Sequence, residues 1–343
     1  MIEYNKLITD MFYLKLDSFE LFLFIIFALI IAIAIDVIFG ELPTRIHPVV
    51  IIGSMVSFFK SIFIKIKNKL SGLLLVISVG ICTSIILFVL YLIGSINSIL
   101  LFVLFTILLS STFSIKLLLK TAVDVKNDLN ESIEKARKSV SYLVSRNTEE
   151  LTESFIVSAV IESLTENITD SYVAPVFYYM IFSLIIMINP IDNQLYFLLL
   201  IPMLYRMFNT LDAMVGYKTE ELKDIGYFSA KIDDVLNYVP ARISGIYIVA
   251  AALLLKLDWR NSYKIMRRDS RKCPSPNSGF TMATTAGALN IQLNKKDTYI
   301  LGDAATKTID REDITKAVNL SKLTIILFTL TILLLLTLVY VIL

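Results

Sequence analysis

FELFLFIIFALIIAIAIDVIF, residues 19–39, decides the fold. Its only charges, Glu20 and Asp36, sit near its ends. An apolar run of about 20 residues is long enough to cross a bilayer as a helix. It follows a mixed-charge leader and lacks a small-x-small cleavage site, so it reads as a retained helix rather than a signal peptide. Similar runs recur at 71–93, 97–119, 172–189, 195–208 and 321–343. A shorter run, 243–257, reads as a re-entrant or interfacial helix. The short turns GSINS (94–98) and NPIDNQ (189–194), both free of Lys and Arg, separate two of the pairs. The expectation is an all-α, multi-pass membrane protein of about six spans plus the short seventh helix, forming one embedded domain over 1–343.

Composition agrees. Of 343 residues, 56% are apolar, and the mean hydropathy is +0.72. A soluble domain of this length rarely reaches such values. The net charge of +2 comes from bases spread among acids, with no arm or tail to hold nucleic acid. Cys82 and Cys273 form no CxxC pair, so neither a disulfide framework nor a zinc site is expected.

Charge also orients the chain. Lys60, Lys65, Lys67 and Lys69, and then Arg267, Arg268, Arg271 and Lys272, belong on the cytoplasmic side by the positive-inside rule. This holds if 243–257 returns to the side it left. The polar segments 40–70, 120–171 and 209–320 then face the cytoplasm together.

Polar residues cluster against apolar helix ends in four places. In DVIFGELPTRIHPVVIIG (36–53), glycines and prolines predict a turn around His47, the only histidine. In ESLTENITDSY (162–172), Glu162, Glu166 and Asp170 recur every fourth residue and share a helical face with Ser158. Two readings fit them, a solvated face or a site for a divalent cation or an amine. The stretch 206–242 is dense in Arg206, Asn209, Asp212, Asp233, Asp234, Asn237 and Arg242, and Pro240 is expected to end a helix there. In 266–289, four bases precede the turn PSPNSG, an arrangement suited to phosphate or to a membrane surface. Beyond it, Ala283, Ala286, Gly287 and Ala288 predict a helix for close packing. Between these clusters, 124–150 reads as an amphipathic helix, with Asn147 as the cap of the next one. No GxxxxGK[ST], GxGxxG or HExxH motif occurs, so any nucleotide is held without a P-loop.

DVIFGELPTRIHPVVIIG, ESLTENITDSYVAPVFYY, RMFNTLDAMVGYKTEELKDIGYFSAKIDDVLNYVPARISG and RRDSRKCPSPNSGFTMATTAGALNIQL resemble, in order, the signature blocks of the adenosylcobinamide-phosphate synthase (CobD/CbiB) family. Cys273 departs from the resemblance, which implies a histidine there. The resemblance implies a membrane enzyme of cobalamin biosynthesis with ATP and magnesium. It would join the free propionate of adenosylcobyric acid to aminopropanol or its phosphate. It implies His47 as a base and Glu162, Glu166 and Asp170 as the metal or amine site, with Asp233 and Asp234 as further metal candidates. Arg206, Asn209, Asp212, Asn237, Arg242, Arg268, Ser275, Asn277, Ser278 and Gly279 would hold substrate and phosphate. Other late cobalamin-pathway membrane enzymes are implied partners. A corrinoid transporter and a membrane scaffold for such enzymes are the rival readings.

Overall fold

The computed structural model describes residues 16–144, 146–217, 219–296, 298–304 and 308–343; the leader before residue 16 lies outside them. The helices in chain order are α1 Ser18–Phe39, α2 Pro48–Phe63, α3 Lys69–Gly94, α4 Ser98–Ser110, α5 Ile115–Glu131, α6 Ile133–Ser141 and α7 Glu153–Ile168. A π turn, Thr169–Val173, leads into α8 Ala174–Ile188. There follow α9 Gln194–Val215, α10 Tyr227–Leu236, α11 Tyr238–Leu254, α12 Trp259–Asp269, α13 Ser278–Leu289 and α14 Arg311–Ile342. An antiparallel hairpin precedes α14: β1 Leu293–Lys295 and β2 Tyr299–Leu301, with Lys295 opposite Tyr299.

Among the described residues, seven helical stretches are long and apolar enough to cross a membrane. The bent pair α10–α11, which turns by 44°, can add another. The protein is therefore an all-α, multi-pass membrane protein. One stretch was not read from sequence. Pro48–Ile66 spans 19 residues with a hydropathy of 1.9. The turn expected over 36–53 ends at residue 47, and Pro48 opens a helix at its first position, where its missing N–H costs nothing. Pro240 likewise ends no helix. It lies in the first turn of α11, a place prolines tolerate, and the break falls at Asn237.

The chain divides into two compact units. Unit 1 comprises 1–114, 175–235 and 332–343. Its first helix starts with a capping box: Asp17 accepts from the Glu20 N–H at 2.8 Å, and Glu20 accepts from the Asp17 N–H at 3.0 Å. α1 packs on α4, and α9 packs on α2, α3 and α4. Phe24 meets Phe102 and Phe105 edge-on, and the buried Tyr179 donates to the Ile25 carbonyl. On the helices' other faces Phe27, Ile30, Ile77, Ile81 and Ile85 are exposed, as suits contact with lipid tails.

Unit 2 comprises 115–174 and 236–331. α13 is its centre, packed on α7, α11 and α12. The small residues expected there are buried, and a Cβ at Gly287 would lie 2.6 Å from the Asn261 carbonyl oxygen. The amphipathic stretch forms α5 and α6, broken at Ser132, and buries Leu129, Ala136 and Val140 on α7. Asn147 does not cap α7, whose N-cap is Thr152. Its side chain instead accepts from the Glu149 N–H, closing a local turn.

Candidate functional site

The functional side chains fall into both units. In unit 2, α7 carries the acids on one face, but the structure treats each differently. Glu162 is buried and fully engaged. Its carboxylate accepts from Arg146 Nη2 at 2.9 Å, Tyr299 Oη at 2.9 Å and Ser158 Oγ at 2.6 Å. Ser158 Oγ in turn accepts from the Asn294 N–H, so the same network fastens the hairpin to α7. Glu166, one turn on, is half-buried, and its carboxylate hydrogen-bonds to no described residue. The charges of Lys295 and Glu162 act on it. Asp170, half-buried, lies in the π turn, an irregularity often found at functional sites.

Cys273 faces this group. Burial pushes its thiol up to about 12, and the charge of Glu166 adds to the effect, against a hydrogen bond with Ser278. Burial, then the charge of Glu162, also raises the Tyr299 hydroxyl. Arg146, Lys295 and Tyr299 were not found from sequence. They lie on a loop and on three-residue strands, outside any helical period.

The PSPNSG turn is tightly built. Gly279 is obligatory, since a Cβ there would sit 2.0 Å from the Ser270 carbonyl oxygen. Asn277, buried beside half-buried Ser275 and Ser278, accepts from Arg242 Nη1 at 3.1 Å. The Arg242 guanidinium stacks 3.4 Å from the Tyr238 ring centroid and 4.3 Å from that of Phe280. Arg268 is fully occupied. Its Nε and Nη2 donate to Asp269 at 2.7 and 2.8 Å, and its Nη1 pairs with Asp303. Asp269, completely buried, also accepts from Lys272 Nζ and the Gly302 N–H. Burial alone would raise its carboxyl, but these donors outweigh it and hold it at about 2. Gripping phosphate would require Arg268 to leave these partners.

Unit 1 gathers the others. His47 is buried, and its Nδ1 accepts from the Val49 N–H, capping α2. Burial lowers its pKa, Glu41 opposes this and Arg206 adds to it. Arg206 donates to Asn209 at 3.0 Å, while its buried Nε has no hydrogen-bond partner among the described residues. Asp212 and Asp234 interact electrostatically, as do Asp233 and Tyr178. Among the described residues no three His, Cys, Asp or Glu side chains converge as a metal site. The pairs Glu166–Asp170 and Asp233–Asp234 offer at most two carboxylates each. That donor set suits magnesium completed by substrate phosphates and water, not a metal caged by protein alone.

The profile of the family described as CobD/Cbib protein matches residues 29–321. A probable cobalamin biosynthesis protein CobD of Methanothermobacter thermautotrophicus is 46% identical over 304 residues, 88% of this chain and 95% of that protein. The Methanocaldococcus jannaschii protein of the same description is 36% identical, over 86% of this chain and 92% of its own. The cobalamin biosynthesis protein CobD of Clostridium perfringens is 34% identical, over 85% and 92%. No solved structure matches. A chain matched along nearly its whole length by both the family profile and these relatives belongs to the CobD/CbiB family of cobalamin biosynthesis proteins.

Proposed function

We propose that this protein makes the amide bond between the free propionate of adenosylcobyric acid and the amine of aminopropanol or its phosphate, using ATP. Family membership along residues 29–321 carries the reading. A carboxylate and an ammonium do not condense in water, so one must be activated and the other deprotonated. The propionate oxygen attacks the terminal phosphorus of ATP, forming an acyl phosphate and releasing ADP. The amine nitrogen, having lost a proton, attacks the acyl carbon. The carbon–oxygen bond to phosphate then breaks, leaving amide and inorganic phosphate. Magnesium, where bound, offsets the charge of the phosphates.

Glu166 suits the ammonium. It is half-buried, and no described hydrogen-bond donor neutralises its carboxylate. It can bind the cation and accept its proton. Glu162, saturated by three donors, holds the scaffold instead. Asp170 and the pair Asp233–Asp234 are the further magnesium candidates. Neutral His47 is a second base candidate, and Arg206, Arg242 and the PSPNSG turn are candidates for the substrates' polar groups. The site faces the cytoplasm in this reading, as the bases at 267–272 require by the positive-inside rule.

The test is a cell-free assay of the purified protein with adenosylcobyric acid, ATP, magnesium and each amine in turn. Amide product with ADP release supports the reading. Its absence in well-folded protein, with either amine, overturns it in favour of transport or scaffolding.

A further inference from the structure

Unit 2 contains a cavity of about 430 Å³ that none of the sequence clusters marks. This lies within the roughly 300–1,000 Å³ range of small-molecule pockets. Its walls include Arg146, Asn147, Glu150, Thr152, Lys295 and Lys296. Three bases against one acid make it cationic. Neither lysine forms an ion pair with a described residue, although the charge of Lys295 also acts on Glu166. Arg146 adds a guanidinium to the wall. Its Nη2 is committed to Glu162 and its Nη1 to the Asn294 carbonyl, while its buried Nε has no hydrogen-bond partner among the described residues. Thr152, the N-cap of α7, and Phe155 in its first turn also line the cavity; Glu153 in the same turn is paired with Arg311. No side chain caps that helix end, so its amides and dipole add to the positive field.

We propose that this cavity binds the phosphoryl groups of a phosphate-bearing substrate. Two lysine ammonium groups that form no ion pair with a described residue, the Arg146 guanidinium beside them and a helix N-terminus without a side-chain cap together suit a tetrahedral oxyanion. The charge of Lys295, which lines the cavity, also acts on Glu166, the acid assigned to the amine. Only the identity of the phosphate carrier rests on the amide-forming reading: it is either ATP or the phosphorylated amine.

The test is binding of radiolabelled pyrophosphate to the full-length protein in detergent. Lys295→Ala/Lys296→Ala is compared with Lys264→Ala, which removes a base on α12 outside the cavity. Both cavity lysines are at least partly exposed, so the double variant should keep the wild-type melting temperature. It should bind pyrophosphate about tenfold or more weakly, as expected when charge-assisted contacts to phosphate are lost. Lys264→Ala should bind as wild type. Displacement of the label by ATP, or by aminopropanol phosphate, then identifies the carrier. No binding by wild type, equal binding by the double variant, or equal weakening in Lys264→Ala would each overturn the site. Amide formation is measured on the same samples. Product without lysine-dependent binding rejects the cavity and keeps the reaction, while binding without product does the reverse.

Discussion

The turn around Asp269 and the helix face around Glu166 are both acidic positions in charge-rich sequence, withdrawn from water within one unit, yet they are held in opposite ways. Asp269 is entirely buried and saturated by Arg268, Lys272 and the Gly302 amide. Glu166 is half-buried and accepts no hydrogen bond from a described residue. A buried charge must be paired or hydrogen-bonded, or else it raises the energy of the fold. The first arrangement therefore stabilises the turn that presents PSPNSG. The second leaves an acceptor unspent, as a site for a cation requires. Charge density alone does not tell these apart; the partners do.

The largest expected effect tests the unspent acceptor. Glu166→Gln keeps the shape and removes the charge. Amide formation should fall by about 10²–10⁴-fold, the usual contribution of a positioned acid or base. Stability should rise slightly, because the cost of burying the charge and the repulsion from Glu162 are relieved, against the lost attraction of Lys295. Wild-type turnover across a magnesium titration would remove Glu166 from the site and shift attention to Asp233 and Asp234.

Asp269→Ala should do the reverse. It strips the acceptor from three donors, two of them half-exposed cations that water can take back. A loss of about 1.5–3 kcal/mol follows from the charge-assisted bonds, read as a lower midpoint in chemical denaturation. Any fall in turnover should track the unfolded fraction. The carboxyl has a folded value of about 2 against an ordinary 3.8. Because the folded value is depressed, its stabilisation is full above the ordinary value and disappears as pH falls from there through about 2. Acid unfolding of wild type should be steeper in that window than that of Asp269→Ala. Identical profiles would show that the turn stands without its buried charge.

These contrasts explain what the sequence disclosed. The run 19–39 was legible because a bilayer demands about 20 apolar residues without relief. The helix Pro48–Ile66 was not, since Gly53, Lys60 and Lys65 interrupt its pattern and its flanking prolines read as turn. The face of Ser158, Glu162, Glu166 and Asp170 was legible from the helical period. Which acid is spent was not, because Arg146, Tyr299 and the Asn294 amide that complete the network come from distant loop and hairpin. Likewise Arg268 looked like a phosphate ligand until its neighbours Asp269 and Asp303 were placed.

A smaller effect separates two roles of His47. Its Nδ1 accepts from the Val49 amide, which requires that nitrogen to be unprotonated. Burial, the leading influence, lowers its pKa and keeps it so. Removing the cap by His47→Ala should cost about 0.5–2 kcal/mol. With the folded pKa below the ordinary 6.5, the cap's contribution is complete above that pH and fades as pH falls through the lowered value. His47→Asn restores a capping acceptor without a titratable ring. If it recovers stability but not turnover, His47 also acts in chemistry; if it recovers both, the histidine is a cap.

The smallest effect asks whether Glu166 carries its charge at working pH. Cys273 is a reporter built into the site, because burial and then the Glu166 carboxylate raise its thiol to about 12. The thiolate is the reactive form, so alkylation of native protein at about pH 8 should be slow. Replacing Glu166 by glutamine removes only the second influence. The reaction should therefore be faster than in wild type, read with iodoacetamide in a Cys82→Ser background. Asp269→Ala, which leaves that neighbour in place, should show no such gain once the unfolded fraction is subtracted. Equal rates in Glu166→Gln and wild type would mean that Glu166 is already protonated in the resting protein. It would then enter the reaction as a proton donor rather than as the base that receives the ammonium proton, and the cation would have to be held elsewhere.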